Sequence, residues 1–193
     1  VMSGSSRYAS SGNVSINTQN SGSQGASGSI QIFTGTALAS NSGALSISTG
    51  LASSGSGGSI AITVGTGTIG QGGQLSLRAG RVLGAYTGGD VLLASGYSSL
   101  KSSGKITVQT MNAGRQGVSG IIRVTTGTSS AGNSGSIDLA TGAATSGISG
   151  DIRLLVGASD FAGGRIDIRA GHTTSTTGDG GSIDIRSGSS LIT

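Results

Sequence analysis

The ionisable side chains that could do chemistry in this 193-residue chain are few: one histidine, seven aspartates, eleven lysines and arginines, and three tyrosines. His172 lies in the loop-like stretch His172–Gly180, with no cysteine and no second histidine in the chain to share a metal with it. One loop histidine gives no arguable Ser/His/Asp set, and paired-carboxylate catalysis would need two aspartates facing each other across a cleft. Gly65-Thr66-Gly67-Thr68-Ile69-Gly70 has the form GxGxxG. A dinucleotide fingerprint also needs a helix whose N-terminus receives the phosphates, and no helical pattern follows. Gly178-Asp179-Gly180-Gly181-Ser182-Ile183-Asp184 has the flavour of a calcium β-roll, but such rolls repeat every nine residues and carry aspartate at each corner. No enzyme, cofactor or metal centre is expected.

The remaining charges are grouped. Arg123, Asp138, Arg153, Asp167 and Asp184 each stand between two aliphatic residues, and Asp151, Arg165, Arg169 and Arg186 flank them. Neighbours of largely opposite sign read either as a solvated face or as a candidate lateral interface with another chain. The equivalent positions in the first half are Ser15, Gln31, Ser46, Ala61, Ser76 and Leu92. A net charge of +4 with 3% aromatic residues is too thin for a nucleic-acid platform. Asn13-Val14-Ser15 is a sequon, so Asn13 is a candidate glycosylation site if the chain is secreted. Phe33, Leu92, Ile121 and Leu155 are expected to face outward.

These charges are positioned by a repeat. Twelve times the chain reads [Ser/Gly]-Gly-x-Φ-x-Φ, where Φ is aliphatic. The pairs run from Val14/Ile16, Ile30/Ile32 and Leu45/Ile47 through Ile152/Leu154 and Ile166/Ile168 to Ile183/Ile185, at intervals of 14 to 17 residues. A glycine precedes every pair by two residues: Gly12, Gly28, Gly43, Gly58, Gly73, Gly89, Gly104, Gly120, Gly135, Gly150, Gly164 and Gly181. Alternation at period two marks a strand with one buried face. A single such strand forms no core, so the repeats are expected to stack. The expected fold is therefore all-β: a flattened, two-sided β-solenoid, or β-helix, of 12 coils of about 15 residues. The glycines serve as its structural corners, free to adopt φ > 0.

A longer period overlies the short one. Residues 16–28 match 108–120, 34–50 match 126–142, and 62–80 match the later RLLVGASDFAGGRIDIRAG with a one-residue slip. Six coils make a 92-residue super-repeat, giving units 1–92 and 93–184 of one continuous solenoid, with 185–193 opening a third. Gly, Ser and Thr supply half of the residues, yet regular aliphatic pairs argue against a disordered linker. Without proline every backbone N–H can donate, and without cysteine no disulfide or CxxC motif exists. No apolar run approaches the ~18–20 residues of a membrane span. No signal peptide or capping segment is visible, so the chain is expected to be an excerpt of a longer array that meets neighbours end to end and laterally.

The repeats SGSIDLATGAATSGISGDIRLLVG and GGSIAITVGTGTIGQGGQLSLRAG resemble the Gly/Ser/Thr-rich solenoid arrays of large surface proteins in diatoms and related microalgae. The resemblance covers the whole chain. It implies an extracellular or cell-surface structural role in filaments, with no catalytic residues to carry over, and the Arg/Asp-rich final coils depart from it. The expected function is a stiff structural rod. The alternatives are an adhesin stalk and an ice-binding protein, the last disfavoured because the outward residues form no regular threonine face.

Overall fold

The computed structural model describes residues 1–189. Among them there is no α-helix and no paired strand. This overturns the expected all-β architecture: the chain is neither a β-solenoid nor a β-helix. The aliphatic pairs are present at the anticipated positions, but no repeat forms a backbone ladder with the next. Residues 190–193, within the opening of the anticipated third super-repeat, lie outside the described region.

In place of stacking, each repeat closes on itself. It consists of a seven- or eight-residue segment carrying the aliphatic pair, followed by a loop whose two ends meet. The segments 28–34, 43–49, 120–126 and 135–141 are examples, each running from a conserved-phase glycine to a threonine. Every loop reverses through a bend near its middle, for example at 38–40, 53–55, 130–132 and 145–147. Eight to ten residues after the loop opens, it returns to one of the twelve glycines. We call this meeting point the clasp.

Two units divide the chain, Val1–Leu93 and Ala94–Thr193. In the first, the clasps are of three kinds. Gly12 and Gly89 donate their N–H to the carbonyls of Gly4 and Gly80, both at 3.0 Å. Thr18, Thr34 and Thr49 instead donate Oγ1–H to the carbonyls of Gly28, Gly43 and Gly58, at 3.1, 3.1 and 3.4 Å. Val64 fills the same place against Gly73 through its methyl group alone. In order, the clasps read backbone, Thr, Thr, Thr, Val, backbone.

The second unit has the same order. Gly104 and Gly181 donate to the carbonyls of Gly96 and Gly171, both at 2.9 Å. Thr110, Thr126 and Thr141 pack against Gly120, Gly135 and Gly150, and Val156 packs against Gly164.

The clasp explains the most tightly packed of these glycines. The only positive-φ glycine among the described residues is Gly70, at 94°, which turns the bend at 68–70. None of the twelve adopts the left-handed region, and at Gly73 and Gly164 the value of glycine is room. A Cβ on Gly73 would meet Val64 Cγ1 at 2.6 Å, and one on Gly164 would meet Val156 Cγ1 at 2.7 Å. Glycines inside the loops, such as Gly35, Gly55 and Gly127, have open space where a Cβ would stand.

Serine and threonine hold the bends. Ser6 Oγ accepts the Ala9 N–H at 2.9 Å, and Ser98 Oγ accepts the Lys101 N–H at 3.0 Å. Gly132 N–H reaches Ser129 Oγ at 3.1 Å in the same i to i+3 pattern. Short hydroxyl side chains stabilise turns by this competition with backbone partners, and it gives the Ser/Thr-rich composition a local structural purpose.

Candidate interaction surface

No hydrophobic or polar residue among those described is buried. The chain exposes 19959 Å². A folded monomer of its 18.4 kDa mass would expose about 8,200 Å², and the unfolded chain about 26,700 Å². Only about a quarter of the unfolded surface is removed from water, against about 70% for a globular domain of ordinary size. The apolar segments therefore form a surface with no core beneath it.

That surface is ordered. In every repeat the first aliphatic residue is the better covered of the pair, as in Ile30 at 50% and Ile32 at 65% exposure. The clasp valines Val64 and Val156 are among the most covered large apolar side chains, yet remain 47% exposed. Phe33, Leu92, Ile121 and Leu155 are more open still. Burying one Leu or Ile side chain is worth about 1.5–3 kcal/mol, a gain that every pair in the isolated chain leaves largely unrealised.

The charged residues fall into two states. Asp167 is bracketed by its own segment: Arg169 Nη2 lies 2.9 Å and Arg165 Nη2 3.5 Å from Oδ2. Asp184 is held by Arg186, whose Nε donates to Oδ1 at 2.9 Å and whose Nη2 meets Oδ2. These pairs are exposed and lie two residues apart, so each contributes little to stability, about 0–1 kcal/mol. Arg123, Asp138, Asp151 and Arg153 make no ion pair among the described residues. Ser136 Oγ–H donates to Asp138 Oδ2 at 3.4 Å and helps orient it.

The other sequence features stay apart. Asn13 is exposed on the segment that follows the Gly4/Gly12 clasp. His172 opens the loop leading to Gly181 and is exposed. Arg7 lies over the Tyr8 ring, 5.7 Å from its centroid, in the bend of the first loop. Among the described residues no three His, Cys, Asp or Glu side chains gather into a metal-sized group, no cavity opens, and no helix is long and apolar enough to cross a membrane.

The sequence showed which positions carry glycine and which carry aliphatic pairs. It also held a signal for the clasp that periodicity alone did not bring out: the Thr or Val eight to ten residues before eight of the twelve glycines. No protein-family model, no curated protein and no solved structure matches the chain.

Proposed function

We propose that this chain is a non-enzymatic structural protein of the extracellular or cell-surface space that works as an assembly, its repeats associating with other copies into filaments. The observation that supports this reading is the set of twelve ordered but uncovered aliphatic pairs, carried on a chain that exposes more than twice the area of a folded monomer. A standard protein–protein interface removes about 1,600 Å² from water in total. The excess here is several times larger, and it runs through every repeat instead of gathering in one patch. One neighbour on one face leaves most of it wet, so association continues outward from chain to chain. The likeness of the repeats to microalgal surface arrays supports an extracellular setting, where glycans on Asn13 would be compatible with its exposure.

Sedimentation velocity over a wide concentration range, followed by electron microscopy of the heaviest fraction, tests the proposal. Concentration-dependent growth into elongated particles is expected. A chain that stays monomeric at the highest concentration reached would overturn it. Antibody labelling of intact, unpermeabilised source cells tests the location: signal confined to permeabilised cells would place the protein inside.

A further inference from the structure

We infer that Arg123, Asp138 and Arg153 form a self-recognition code that docks a second copy of this chain with a stagger of one repeat. The inference rests on the assembly reading above and names where copies read each other. The three residues stand at the same place in successive repeats, each between the two members of an aliphatic pair, and they are spaced 15 and 15 residues apart with alternating sign. All three are exposed, and all belong to one unit.

The structure separates these charges from their neighbours. Asp167 and Asp184 occupy the same place in the next two repeats, but arginines of their own segments already neutralise them. Arg123, Asp138 and Arg153 lack such a partner among the described residues and keep their charge available. A second copy laid in register would set like charge against like. Shifted by one repeat and running parallel, it sets Arg123 against Asp138 and Asp138 against Arg153; running antiparallel, the same shift pairs Arg123 with Asp138 twice, or Asp138 with Arg153 twice. The aliphatic pairs on either side of each charge recur at the same interval, so the shift that matches the charges also brings pair against pair. A partner without this spacing would match one charge and miss the next, which is why the occupant is another copy. Complementary charge of this kind chooses register and partner more than it adds affinity.

Sedimentation equilibrium on the full chain tests the code with three proteins: wild type, Asp138→Arg, and the inverted variant Arg123→Asp/Asp138→Arg/Arg153→Asp. The single reversal should weaken self-association about tenfold, because two attractions become two repulsions. High salt should narrow that gap. The inverted variant should return to wild-type association, since alternation is restored with its signs exchanged. If Asp138→Arg associates like wild type, or if the inverted variant stays as weak as the single reversal, the code is overturned while assembly itself stands. If wild type does not associate at all, the assembly reading fails first and takes the code with it.

Discussion

The two units share their clasps and differ in what they show to solvent. Val1–Leu93 and Ala94–Thr193 each run through backbone, Thr, Thr, Thr, Val and backbone clasps in the same order. Between the aliphatic residues the first unit carries Ser15, Gln31, Ser46, Ala61, Ser76 and Leu92, whereas the second carries Thr107 and then Arg123, Asp138, Arg153, Asp167 and Asp184. The contrast teaches which positions the local structure constrains. At Gly73 and Gly164 a valine methyl group stands where a Cβ would, so change there is costly. Between two aliphatics, Arg123, Asp138 and Arg153 meet no opposite charge among the described residues and are free to specify a neighbour, whereas Asp167 and Asp184 are held by arginines of their own segments.

The strongest way to break this comparison is through what the units have in common. Ile60→Ser/Ile62→Ser in the first unit and Ile152→Ser/Leu154→Ser in the second remove equivalent pairs. Each double variant should cost assembly about 1.5–3 kcal/mol per side chain that becomes buried between copies. Both should shift the sedimentation profile alike; loss from the second unit alone would mean that only the charged half assembles.

Next in size are the valine clasps. Gly73→Ala and Gly164→Ala place a Cβ within 2.6 and 2.7 Å of a valine methyl carbon. In a packed core such overpacking costs about 1–3 kcal/mol; here the valine is half-exposed and can turn aside, so the cost lies at or below the low end. Spin labels flanking the loop base should report a widened distance in both variants. Adding Val64→Ala to Gly73→Ala should restore closure. Gly135→Ala, where the nearest atom stands at 3.6 Å, should leave the distance unchanged.

The threonine clasps sharpen the comparison further. Thr34→Val keeps the methyl contact and deletes the 3.1 Å hydrogen bond to Gly43. At this exposed site the loss should not exceed about 1 kcal/mol, read as faster amide exchange in the loop. Thr126→Val, whose threonine retains only the methyl contact to Gly135, should change exchange less. The smallest effect belongs to the bracketed aspartate: Arg165→Gln should alter stability by less than about 1 kcal/mol, and less again in high salt. Arg78→Gln, in the matching segment of the first unit where Ser76 replaces the aspartate, should alter nothing measurable in either buffer.

The repeat, its period and the exposed charge pattern could all be read from residues such as Ile30-x-Ile32 and the glycine before them. The partner of each pair could not. Period-two alternation says that one face seeks cover, and it is silent on whether the cover comes from the next repeat or from another chain. Self-closure of the loop from Thr34 to Gly43 spans nine residues, whereas stacking needs contact across a full repeat. The shorter closure costs less chain entropy. The same short closure sets what Gly43 does. A glycine flanking a strand suggests a corner with φ > 0, but here Gly43 keeps an ordinary φ and its carbonyl accepts the Thr34 hydroxyl.

The clasps also set how the chain would answer a pull. Each holds eight to ten residues of chain out of the direct line between neighbouring segments, secured by a single hydrogen bond or a methyl contact. A tug on one segment loads the clasp before it loads the covalent loop, so the weak bond yields first. Each opening frees a loop that spans at most about 26–36 Å when extended, since an extended residue spans about 3.3–3.6 Å. Twelve such releases in series would make a thread that lengthens stepwise under tension and spends work at each step, and that recoils as the loops find their glycines again.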